Sequence, residues 1–87
     1  MDNDNTIVLD SKSLNNEIVK EILKDVYNAL EERGYDPIMQ ISGYLISNDL
    51  GYISNHLEAR KKISKIDREK IIEVLLNNYL KEIKWDI

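Results

Sequence analysis

Apolar positions along the chain fall into blocks with distinct periods. Val19, Ile22, Leu23, Val26, Tyr27 and Leu30 recur at spacings of three and four, which places them on one stripe of an α-helix. Ser13 or Asn15 can cap its start and Glu17 suits the positive end of its dipole. Arg33 then Gly34 supplies a cation in the last turn and a residue free to go left-handed. Asp36 and Pro37 read as the N-cap and first residue of a second helix reaching Ser47. There Ile38, Met39, Ile41, Tyr44, Leu45 and Ile46 are spread nearly all round the axis, so the pattern demands cover on more than one side. Gly43 in the middle costs about 1 kcal/mol against alanine, which predicts a neighbour packed closely at that point. The stretch NDLGYISNH breaks the period with turn chemistry. A third helix is expected from Asn55, with His56, Ala59, Ile63 and Ile66 on one stripe and Arg60, Lys61, Lys62 and Lys65 mostly outside it. Asp67 reads as the N-cap of a last helix whose Ile71, Ile72, Val74, Leu75, Leu76, Tyr79, Leu80 and Ile83 cover more than one face. The fold class is all-α: a small compact bundle of about four helices with short connections.

Ahead of the first helix, residues 1–13 show no helical period and are read as a mobile acidic tail, with residues 14–87 as the helical domain. The tail carries a short apolar run, Ile7-Val8-Leu9, and Thr6, the single threonine of the chain. The helices at 37–47 and 68–83 hold more apolar surface than one small core needs. A homodimer is therefore expected, with Ile38, Ile41, Gly43, Tyr44, Leu45, Ile72, Leu76, Tyr79 and Leu80 forming core and seam.

Composition narrows the chemistry. At 87 residues the chain forms one domain. It has no cysteine and one histidine, His56, so a thiolate zinc site, a multi-histidine metal site and a cysteine nucleophile are excluded within one chain. The carboxylates show no catalytic or metal-binding pairing, and no enzymatic activity, metal or cofactor is expected. The start MDNDN has neither a basic nor an apolar segment of a signal peptide, and no run approaches a membrane span, so a soluble cytoplasmic protein is expected without membrane insertion.

The net charge is −4 and unevenly spread. Residues 1–10 hold Asp2, Asp4 and Asp10 and no cation, giving −3. Residues 56–70 hold Arg60, Lys61, Lys62, Lys65, Arg68 and Lys70 against Glu58, Asp67 and Glu69, six minus three or +3. These cations, with His56, form the candidate partner-binding set. His56 and Arg60 stand four apart and share a face if the segment is one helix. A plainer reading makes His56 a cap, Arg60 a salt-bridge partner and the lysines a solvated face. A rival function is a small dimeric helix-turn-helix repressor with the basic third helix in the major groove. The overall acidity and the shortage of base-reading side chains speak against it.

The block GYDPIMQISGYLISNDLGYISNHLEAR carries a longer pattern. With Tyr27, Ala29 and Leu30 before it, and Arg68, Ile72, Tyr79 and Leu80 after it, the chain resembles the IreB/ReoM family of small regulators from Gram-positive bacteria. The likeness extends over residues 6 to 83. It departs from the family pattern at Leu50, Ser54 and Asn55, where that pattern has prolines and an arginine, and around Lys61 to Lys65, where it is richer in arginine. The resemblance implies a non-enzymatic helical homodimer. It implies phosphorylation on the tail threonine, matched here by Thr6, by a membrane-anchored Ser/Thr kinase with PASTA repeats, reversed by a cognate phosphatase. It further implies that the unmodified protein promotes degradation, through the Clp protease machinery, of the enolpyruvyl transferase that begins peptidoglycan synthesis. The net charge of −4, for its part, argues against nucleic acid as a partner.

Overall fold

A computed structural model describes residues 11–82, and side chains within them from residue 15 to 81. The described residues form four α-helices and no strand: α1 (Ser11–Glu32), α2 (Pro37–Ser47), α3 (Ala59–Ile63) and α4 (Arg68–Glu82). Short 3-10 turns at Leu50–Tyr52 and His56–Glu58 lie between α2 and α3. The all-α architecture expected from the periodicity is the one observed.

α1 starts before the expected cap, so Ser13 and Asn15 lie inside it. No proline or glycine interrupts residues 11–15, and Lys12 is a good helix former. Its C-terminus closes on Gly34 at φ +84. The Tyr35 N–H donates to the Leu30 carbonyl (3.0 Å) and the Gly34 N–H to Glu31 (2.9 Å), the paired bonds of a Schellman stop. α2 begins as expected: the Asp36 carboxylate accepts from the Met39 N–H (3.1 Å) and Pro37 follows it. It ends at Asn48, left-handed at φ 61, whose N–H donates to the Tyr44 carbonyl (2.7 Å).

The third helix is far shorter than expected. Leu57 (φ 52) and Glu58 (φ 62) are both left-handed, which stops a right-handed helix before Ala59. His56 is drawn instead to the end of α1, where its Nε2 donates to Glu32 Oε1 (2.8 Å) and its Nδ1 accepts from Arg33 Nη1 (3.3 Å). The stripe linking His56, Ala59, Ile63 and Ile66 is therefore not one helix face.

α1 is the spine against which α2, α3 and α4 pack. It gives Val19, Val26, Ala29 and Leu30 to the core, which Tyr44, Ile53, Ala59, Ile63, Ile71 and Val74 complete. Ile41 and Leu45 pack against its edge. The surplus apolar surface on the other two long helices lies outside it. Ile38 (64% exposed), Met39 and Ile46 point outward from α2, and Ile72, Leu75, Leu76, Tyr79 and Leu80 from α4. Gly43 has the close neighbour expected of it, the Tyr52 ring: a Cβ added at Gly43 would stand 2.5 Å from Tyr52 Cδ1.

Candidate regulatory surface

The segment between α2 and α3 is irregular, yet its main chain is tied down at several points. The Asp49 carboxylate accepts from the Gly51 N–H (2.8 Å), fixing the first turn. Gln40 on α2 reaches across so that its Oε1 accepts from the Ser54 N–H (2.9 Å). Arg60 Nε donates to the carbonyls of Leu50 (3.1 Å) and Ile53 (2.9 Å). Arg68, at the start of α4, donates from Nη1 to the Leu45 carbonyl in the last turn of α2 (2.7 Å). Both arginines are half-buried. Donation from a guanidinium to a main-chain carbonyl is charge-assisted and stronger than a neutral bond. Of these two candidate partner-binding residues, Arg60 thus holds the connection in shape and Arg68 ties the start of α4 to the end of α2.

The remaining cations do not gather into one patch. His56 and Arg60 do not share a helix face, since His56 turns to Glu32 and Arg33 while Arg60 turns to the first 3-10 turn. Lys62 borders a groove with Asp25, Glu32 and Leu57. Lys65 lines a different cleft, with Asn15, Ile18, Ile66, Asp67 and Lys70. Lys61 is exposed. Thr6 and the rest of the expected tail up to residue 10 lie outside the described residues.

Sequence reasoning missed Gln40, Glu32 and Arg33 as ties to the connection. Asp49 followed two residues later by Gly51 is a readable turn signature, whereas Gln40 carries no local signal. A second surface feature is apolar: Leu23, Tyr27, Ile38, Ile41 and Leu75 line a depression between α1, α2 and α4. It adjoins the exposed apolar residues of α4. Among the described residues no group of His, Asp and Glu is arranged to hold a metal ion, and no helix is long and apolar enough to cross a membrane. The helix-turn-helix reading loses its recognition helix. α3 has five residues, two of them, Ala59 and Ile63, fully buried, and its Arg60 is turned onto main-chain carbonyls.

Comparison with known proteins bears on the whole of this surface. The chain is 43% identical over 82 residues to a UPF0297 protein of Acetivibrio thermocellus, covering 94% of this chain and 91% of the relative. Residues 4–81 match the model of the family described as IreB regulatory phosphoprotein. That match takes in Thr6, all four helices nearly to the end of α4, and the arginine-tied connection. The chain belongs to the IreB regulatory phosphoprotein family.

Proposed function

We propose that the chain is a non-enzymatic regulator of peptidoglycan synthesis, switched by phosphorylation of Thr6. In this reading a membrane-anchored Ser/Thr kinase with PASTA repeats modifies Thr6 in the cytoplasm and a cognate phosphatase reverses it. The unmodified protein promotes Clp-dependent degradation of the enolpyruvyl transferase that opens the pathway, and modification relieves this. The observation that carries the proposal is the family match over residues 4–81, which spans the single threonine of the chain. The charge pattern supports it: a phosphate adds about −1.5 to −2 charges to a ten-residue segment already at −3, while residues 56–70 carry +3.

The working form is a homodimer in this reading. Its seam is formed by the apolar residues that α2 and α4 leave uncovered, Ile38, Ile72, Leu76, Tyr79 and Leu80. Tyr44 belongs to the protomer's own core.

The test is twofold. Incubated with the kinase domain and ATP, the chain should gain one phosphate, located on Thr6 by mass spectrometry and absent from Thr6→Ala. Pull-downs from cytoplasm should recover Clp components or the transferase with the unmodified chain and lose them with Thr6→Glu. Phosphate uptake elsewhere, or identical capture by both forms, would overturn the reading.

A further inference from the structure

We propose that the cleft between the first turns of α1 and the α3–α4 junction is the docking site for the chain's own N-terminal segment. Ile7, Val8 and Leu9 would sit on Ile18 and Ile66, bringing Thr6 beside Lys65 and Lys70. The cleft is lined by Asn15, Ile18, Val19, Lys65, Ile66, Asp67 and Lys70. Ile18 is 49% exposed and Ile66 only partly buried, so the cleft offers two uncovered apolar side chains within a lining that is otherwise mostly polar. Lys70 is paired with Glu73 at 3.2 Å, whereas Lys65 has no acidic side chain within 4.0 Å among the described residues. Asp67 is the one carboxylate lining the cleft, against two lysines.

Chain length selects this cleft. Ser11 begins α1, and Ile18 lies about 10 Å along the helix from it at a rise of about 1.5 Å per residue. Doubling back from Ser11, Ile7 to Leu9 reach about 7–13 Å and Thr6 about 16 Å at roughly 3.3 Å per extended residue. The apolar run therefore arrives level with Ile18 and the threonine just past it. The depression at Leu23 and Tyr27 begins about 18 Å along α1, beyond the reach of those three residues in the same chain.

A groove on the other side of α1 is also within reach. It is lined by Asn16, Lys20, Val74, Asn77, Asn78 and Lys81. It has two lysines, but Val74, its one apolar side chain, is buried at 2% exposure, so it gives the run of apolar residues nothing to cover. Of these two grooves within reach, the first offers exposed apolar side chains and cations together. Charge complementarity in the cleft rests on Lys65, because Lys70 is already paired with Glu73 and Asp67 lines the same cleft, while the docking segment carries −3 before any modification. The docking itself does not depend on phosphorylation; its strengthening by phosphate rests on the reading of Thr6 above.

The chain lacks cysteine, so Asn3→Cys gives a unique site for a nitroxide label. On the nitrogen-15-labelled full chain, the label should broaden amide signals of residues 15–19 and 65–70. The broadening should persist when that sample is diluted with unlabelled chain. It should vanish in Lys65→Glu/Lys70→Glu with unchanged far-UV circular dichroism, and survive in Lys20→Glu/Lys81→Glu. Phosphothreonine placed at position 6 by chemical ligation should raise the occupied fraction about two- to fivefold at low salt, an increase that fades as salt is added. Because the phosphate is installed chemically, a kinase that ignores Thr6 would sink the functional reading and leave this result standing. Broadening absent from 65–70, centred on 77–81, or seen only when label and isotope sit on different copies would overturn the proposal.

Discussion

Gly43 and Tyr52 show how one residue's identity is set by another nine positions away. An alanine Cβ at position 43 would fall 2.5 Å from the ring, so the ring must leave α2. Alanine also gains about 1 kcal/mol of helix propensity, and the two effects oppose. In a urea titration, Gly43→Ala in a Tyr52→Ala background should therefore stabilise by up to about 1 kcal/mol, while the same change in the native chain should lose that gain or reverse it. Gly43→Leu should cost about 1–3 kcal/mol by overpacking. Equal effects in both backgrounds would show that the ring is not the constraint. The sequence made a close approach at Gly43 legible but not its partner, because Tyr52 lies in an irregular turn whose direction no period encodes. Leu57 and Glu58 are the opposite case, two side chains held at positive φ where glycine is unstrained. Glu58→Gly should leave stability unchanged or raise it by up to about 1 kcal/mol, as relief of strain offsets the added freedom of the unfolded chain.

At the scale of elements, legibility follows the local signal. α2 was readable to the residue because Asp36-Pro37 states its start in chemistry that acts within one turn. The end of α1 was equally plain from Gly34. α3 was not readable, since the turn that cuts it short contains no glycine or proline and depends on His56 bonding to Glu32, 24 positions earlier. The same tertiary origin explains why Arg60 reads as a surface contact in sequence and proves to be a brace on the 48–58 connection. Arg60→Ala removes the one Nε–H shared between two carbonyls and should destabilise by about 1–3 kcal/mol. Limited proteolysis should then cut first within residues 48–58. A variant as resistant as the native chain would assign Arg60 to partner contact alone. Loss of partner binding in Arg60→Ala is consequently no proof of direct contact unless the connection is shown to be intact.

For the whole molecule, the helical core accounts for α1, Tyr44, the connection and the first half of α4, and leaves the outer side of α4 uncovered. Light scattering at micromolar concentration should give about twice the 10.2 kDa chain mass, with a melting temperature that rises with concentration. A persistent monomer would remove the proposed seam. Phosphorylated Thr6 should leave circular dichroism nearly unchanged, because none of the core residues lies within ten positions of it in the chain. One further consequence lies in α4 itself. Its buried side chains, Ile71 and Val74, both fall in its first half, and residues 75–81 are exposed throughout. Seven residues of helix with no buried side chain gain little from packing and are too few to persist by backbone bonding alone, so local opening is cheap at this end. Amide hydrogen exchange there should run far faster than at Val26 or Leu30 in dilute solution and slow as the protein is concentrated. The last two turns of α4 would thus act as a built-in gauge of how much of the protein is engaged, readable without any label.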